Sequence, residues 1–234
     1  MKHEKVKYNN EINMLGLGNF TATDLNLFMA ICAKVKEKGN VEVSIEYSEI
    51  RKLAGFTPRT ATDLTKAIKQ MCDKLSTVVI ESYSCEKLHY CICPLFDEFD
   101  FGADTMVLKV KIKERFEYLL NDLMTNFTFF DLDEYVALRN KLDKNLYRLL
   151  KQWRSIGNFT IKYDKYKELA GFSTTISTKE VLRKTREAIE RLSSGETPSF
   201  KNLDVEVIRA KTRGMPVESL KFTFVPELPN KQCV

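Results

Sequence analysis

Three basic runs in this chain have the residue types and spacing to hold a polyanion. Arg59, Thr62, Lys66 and Lys69 recur at intervals of three and four, opposite an apolar set of Leu64, Ile68, Met71 and Leu75. Thr178, Lys179, Arg183 and Lys184 interleave in the same way with Leu182, Thr185, Ile189 and Leu192. Farther on, Arg209, Lys211 and Arg213 alternate. On a strand that spacing points all three side chains to one face. The chemistry on offer is binding rather than bond breaking. Ammonium and guanidinium groups neutralise phosphates, and an arginine can take guanine O6 and N7 together. The same pattern also suits the solvated outer face of an exposed helix or hairpin, so the surrounding elements must decide between the two.

Catalytic constellations are poorly represented. A phosphate-cradling P-loop needs a glycine directly before a Lys-Ser/Thr pair, and none of the nine glycines precedes a lysine. Histidine chemistry has only His3 and His89 to draw on, and a nicking enzyme's paired metal-binding histidines beside a tyrosine are missing. Asp131 and Asp133 read as the acidic first turn of a following helix. The six cysteines follow neither a zinc pattern nor a secreted disulfide framework, and Cys91 and Cys93 share one face of a strand. The expectation is a protein without catalytic residues, metal or cofactor.

The elements that position the basic runs occur twice. IEYSEIRKLAGF (45–56) and IKYDKYKELAGF (161–172) are identical at six of twelve positions, 116 residues apart in a chain of 234. That offset far exceeds the roughly 20–50 residue period of a solenoid. It predicts two copies of one small domain, with boundaries at 1–125 and 126–234. In the first copy, Thr21 or Thr23 caps a helix whose inward stripe is Leu25, Phe28, Cys32 and Val35 and which Gly39 ends. A strand over 41–45, a helix closed by Gly55, a turn at Thr57-Pro58 and a helix over 60–75 come next. Strand-like runs cover 77–83, 88–96 and 105–112, with LFDEFDF (95–101) as a loop packing Phe96, Phe99 and Phe101 inward or as a partner-binding segment. The second copy gives helices at about 132–138 and 141–153, a strand, a helix ending at Gly171, and a helix over 178–192. A hairpin then turns at 212–216. Helix, strand, helix, turn, helix, hairpin is the order of a winged helix, whose second helix-turn-helix member enters the major groove. The predicted fold is α+β, two tandem winged-helix domains related by an internal pseudo-repeat.

Composition agrees with a folded, water-soluble chain: 44% hydrophobic, 29% charged, net charge +5. No run approaches the ~18 apolar residues of a membrane span, and MKHEKVKYNNE lacks a signal's apolar core. The expected location is cytoplasmic.

Over residues 8–225 the chain resembles the theta-type plasmid replication initiators that bind iterons. The likeness lies in NFTATDLNLFMAICAKVKEKG, in LYRLLKQWRSIGNFTIKYDKYKELAGF (146–172), in VLRKTREAIERL (181–192) and in SFKNLDVEVIRAKTRGMPVESLKFTF (199–224). It implies two winged-helix domains that bind direct repeats on double-stranded DNA as a monomer, with homodimers that repress the protein's own gene. It also implies an opened origin, recruitment of host replication proteins such as an initiator ATPase and helicase, and no enzymatic activity. Recognition helices then fall on about 60–75 and 178–192, and a wing on 209–213. Family members often carry a proline before the Ala-Ile pair of the second recognition helix. Here Thr185-Arg186-Glu187 precede Ala188-Ile189, so the choice of base-facing residue among Arg183, Lys184 and Arg186 stays open. A tandem winged-helix transcriptional regulator is the alternative; a protein-binding scaffold and a nickase or primase fit less well.

Overall fold

The structure, a computed structural model, describes residues 4–56, 60–84, 89–196 and 198–227. The chain divides into two compact units, Met1–Arg139 and Asn140–Val234. The first contains β1 (Lys5–Asn9), α1 (Ala22–Val35), β2 (Val43–Glu46), α2 (Tyr47–Ala54) and α3 (Ala61–Thr77). Then follow β3 (Val79–Ser84), β4 (His89–Pro94), β5 (Phe96–Phe101), β6 (Val107–Ile112), β7 (Phe127–Asp131) and α4 (Leu132–Ala137). The sequence pattern assigns residues 126–138 to the second copy, but here they complete the first unit. β7 pairs antiparallel with β1, and the buried alternates Thr128 and Phe130 stand opposite buried Tyr8 and Val6. A short helix pattern does not say which core it serves; the alternation of its leading strand does. Asp133 lies in the first turn of α4, as expected, while Asp131 forms an ion pair with Lys5.

Helix α1 starts with a reciprocal capping box between Thr21 and Asp24 and buries Leu25, Phe28, Cys32 and Val35. It ends at Val35, not at Gly39, because Glu37 already turns left-handed at φ 58°. Helix α2 ends on Gly55 at φ 57°, and a Cβ there would lie 2.5 Å from Val136 Cγ1 on α4. Both the backbone and the packing demand glycine at that position.

The expected strand run over 88–96 breaks at Leu95. β3 and β4 form a separate two-stranded hairpin, whereas β5 and β6 form the wing of a sheet ordered β2-β6-β5. LFDEFDF is thus a strand rather than a loop. It buries Phe96, half-buries Phe99 and Phe101, and exposes Asp97, Glu98 and Asp100. The turn expected at Thr57-Pro58 lies outside the described residues.

The second unit contains α5 (Lys141–Lys151), β8 (Asn158–Lys162), α6 (Tyr163–Ala170), α7 (Thr178–Ser193), β9 (Asp204–Arg209) and β10 (Val217–Thr223). α6 closes on Gly171 at φ 77°, as α2 does on Gly55. Its sheet runs β8-β10-β9. Strand before the helix-turn-helix, last strand, middle strand: the order matches β2-β6-β5. The two units are tandem winged-helix domains related by the internal repeat.

The repeat extends to polar clamps around each helix-turn-helix. Asp24 and Asp143 are only 4% and 3% exposed, and they pair with Lys74 on α3 and Arg191 on α7. Two residues on, Asn26 donates to the Ala54 carbonyl at 2.9 Å and Asn145 to the Ala170 carbonyl at 3.3 Å. A tyrosine–threonine hydroxyl contact also joins the last two helices of each unit, though from non-equivalent positions: Tyr47 and Thr65 at 3.0 Å between α2 and α3, Tyr166 and Thr185 at 2.8 Å between α6 and α7. The sequence signal for the Asp and Asn clamps is Asp-x-Asn-Leu at 24–27 and again at 143–146. Each third helix is therefore fixed by polar contacts as well as by its apolar stripe.

Candidate nucleic-acid interface

Helices α3 and α7 bury matching stripes. Leu64, Ile68, Met71, Cys72 and Leu75 correspond to Val181, Thr185, Ala188, Ile189 and Leu192 at a constant offset of 117 positions. The α3 stripe contains every residue expected to face inward. On α7, Leu182 is half-buried rather than inward as its spacing suggests, and Val181 takes the core position. The choice turns on which of two adjacent apolar residues leads the stripe, and local periodicity does not settle that.

This shared register fixes the outward faces. At about 100° per residue, Lys66 and Arg183 lie about 180° from the centre of their buried stripes. Thr62 and Lys179 stand a turn before them, and Lys69 and Arg186 a turn after. All six are exposed. Of the three candidates for the base-facing residue, Arg183 and Arg186 stand in the outward column, and the 117-residue offset between the helices is the signal that places Arg186 there. Thr178 is exposed at the first position of α7, where Ser177 caps the helix by accepting from the Glu180 amide. Arg59 lies outside the described residues.

The cations on these faces are not equally available. Lys69 pairs with Asp73 at 2.6 Å along α3, whereas Lys66 has no ion-pair partner among the described residues. On α7 the Arg183 guanidinium donates to both oxygens of Glu180, at 2.9 and 2.5 Å, and also to Glu187. Lys184 lies 3.7 Å from Glu180. Hydrogen bonds and charge from Arg183 hold the Glu180 carboxyl below its ordinary range, and Glu180 and Glu187 push the guanidinium pKa up. Lys179 and Arg186 have no ion-pair partner among the described residues.

The two wings differ in charge. On the first, Asp97 and Asp100 pair with Lys113 and Lys109 at 2.5 and 3.2 Å, and the turn Gly-Ala-Asp-Thr-Met carries no cation. On the second, Arg209, Lys211 and Arg213 are all exposed. The period-two argument for these three does not hold, because β9 ends at Arg209 and Lys211 and Arg213 lie in the turn. The turn has its own order: Arg209 donates to the Met215 carbonyl at 3.0 Å, and Gly214 and Met215 are both left-handed. The cationic edge is therefore a structured loop tip rather than one strand face.

Residues 5–151 match the family model described as the initiator replication protein winged-helix domain WH1. The chain belongs to the initiator replication protein family. This initiator is also similar to a probable replication protein of Bifidobacterium longum (strain NCC 2705). The two are 32% identical over 98% of this chain and 75% of that one. Among solved structures, the Pi initiator protein in complex with iteron DNA resembles it at a TM-score of 0.70. That match has 17% identity and covers 97% of this chain and 99% of the other. Domains 2 and 3 of RctB follow at a TM-score of 0.50 and 11% identity, covering 89% and 83%. At these identities the structural likenesses support the tandem winged-helix fold of the initiator. Among its described residues, no three His, Cys, Asp or Glu side chains converge to hold a metal ion. No described helix is long and apolar enough to cross a membrane.

Proposed function

We propose that this replication initiator reads direct repeats on double-stranded DNA through α3, α7 and the second wing. Once bound, it opens the adjoining origin and recruits a host initiator ATPase and helicase, with no catalytic chemistry of its own. The observation that carries the proposal is the pair of third helices with one burial register, each presenting an outward column of polar and basic residues. Thr62, Lys66 and Lys69 form the first column. Lys179, Arg183 and Arg186, with Thr178 and Lys184 beside them, form the second. Such columns suit base edges and phosphates, and Arg209, Lys211 and Arg213 on the wing suit phosphates. The Pi initiator, similar in fold, binds iteron DNA, which supports the same ligand class here.

Two recognition helices entering successive major grooves, about 34 Å apart, read about two helical turns. A monomer then suffices for each direct repeat, and the second domain binds as an intramolecular event once the first is seated. A homodimer that represses the protein's own gene is compatible with this picture. The decisive assay is permanganate footprinting of a supercoiled plasmid carrying the flanks of the gene, with the purified initiator and a host initiator ATPase. Unpaired thymines should appear beside the bound repeats. Protection of the repeats with no unpaired thymine would leave a transcriptional regulator instead.

A further inference from the structure

The contrast between the two recognition helices points to a specificity device on the second. The central outward cation of α3, Lys66, has no carboxylate partner among the described residues. The residues standing where α7 has Glu180 and Glu187 are Asp63 and Gln70. Asp63 is engaged by the Thr60 cap at 2.9 Å, and Gln70 is neutral. On α7 the central cation is Arg183, and one donor on each of its Nε, Nη1 and Nη2 is taken by Glu180 or Glu187. All three side chains are substantially exposed, at 53% for Arg183, 37% for Glu180 and 42% for Glu187, so they stand in solvent where DNA would dock. The helix needs neither carboxylate for its fold: Ser177 supplies the cap and the apolar stripe supplies the packing.

We propose that Glu180 and Glu187 are specificity-determining residues, holding Arg183 away from phosphates until a guanine with a neighbouring cytosine replaces their hydrogen bonds. The proposal rests on the DNA-reading function above. Guanine O6 and N7 accept from the guanidinium in a fork, and the cytosine N4 amino group donates to the carboxylate that the guanidinium leaves. At any other sequence, releasing Arg183 leaves Glu187 without that cation and Glu180 with only Lys184, 3.7 Å away, against a polyanion, and that repulsion disfavours the wrong site. Random DNA then meets Lys179, Arg186 and the wing but not Arg183. The exchange trades hydrogen bond for hydrogen bond and gives up the carboxylate charge for neutral base edges, so it adds discrimination more than affinity. Arg183 becomes a reader of base edges, although an arginine in its place without the two glutamates would bind phosphate anywhere.

The test uses the full chain with Glu180→Gln and Glu187→Gln, singly and together. Dissociation constants are measured on the bound repeat and on a random duplex from 50 to 200 mM salt, with base preference determined by selection from a randomised duplex. In the double variant, the ratio of repeat to random affinity should fall about tenfold, a change comparable to one mismatched base pair. The salt slope on random DNA should steepen by about 0.9, the increment for one more phosphate neutralised once Arg183 is released. Selection should lose its cytosine preference in Glu180→Gln and its guanine preference in Arg183→Ala, which removes every donor to O6 and N7. An unchanged affinity ratio with an unchanged selected sequence would overturn the gate while leaving DNA reading intact. Failure of the wild-type chain to prefer any sequence would overturn both.

Discussion

Charge removal at the second wing gives a prediction whose size follows from the structure. Lys211 and Arg213 are exposed in the turn after β9, and neither has an ion-pair partner among the described residues. Replacing both with Ala should therefore leave the fold intact. The cations of the candidate interface without a carboxylate partner among the described residues are Lys66, Lys179, Arg186, Arg209, Lys211 and Arg213. If each neutralises one phosphate, log K falls with log salt at a slope of about −5, at −0.9 per phosphate. Wild-type affinity should then drop about a thousandfold between 50 and 200 mM salt. The double variant neutralises two phosphates fewer, its slope becomes about −3.6, and its deficit against wild type shrinks about twelvefold over that range. Fluorescence anisotropy on a labelled duplex from the flanks of the gene, at four salt concentrations, reads both slopes. An unchanged slope in Lys211→Ala/Arg213→Ala would refute phosphate binding by the wing, whatever happened to the affinity.

Three further outcomes concern the scaffold. Arg191→Met strands the buried Asp143 carboxylate, which receives the guanidinium at 2.7 and 2.8 Å and Asn140 at 3.1 Å. The expected loss is about 2 kcal/mol, below a fully buried pair because Arg191 is part-exposed. Urea unfolding followed by the single tryptophan, Trp153, measures it, and adding Asp143→Asn should recover part of the loss. Gly55→Ala combines a left-handed backbone with a Cβ 2.5 Å from Val136 Cγ1 and should cost about 1–3 kcal/mol by thermal unfolding; a neutral result would contradict the close packing. Burial lowers the Lys144 pKa to about 7, against the pull of Asp143. The unfolded chain binds the extra proton between that value and the ordinary lysine range, so this group makes stability rise with pH from about 7 to 10. Wild type should therefore gain on Lys144→Met over that interval, and parallel pH profiles would count against the lowered pKa.

Much of the fold is legible in the sequence because its strongest signals are local. Gly55 and Gly171 close equivalent helices, Thr21 is one of the two threonines that could cap α1, and Leu64, Ile68, Met71 and Leu75 mark the α3 core directly. What escapes depends on partners distant in sequence. The pairing of β7 with β1 joins residues more than a hundred positions apart, and nothing in FTFFD names its neighbour. LFDEFDF reads as a loop because its acidic alternates resemble a surface segment, yet pairing with β6 makes it a wing strand. On the interface, the residue types are visible but not their engagement. Arg183 and Lys184 look like the ready cations of α7, and the glutamates that occupy them lie three to four residues away on the same face. Arg186, one of three candidates in the sequence, is set in the outward column only when the two burial stripes give a common register.

The measurement that tests the central claim most directly is a DNase footprint of the purified protein on the few hundred base pairs flanking its gene, at moderate salt. Several evenly spaced protected blocks in direct orientation, each about two helical turns long, are predicted for a chain that places two recognition helices on each repeat. A single symmetric block, or no protection at all, would contradict it.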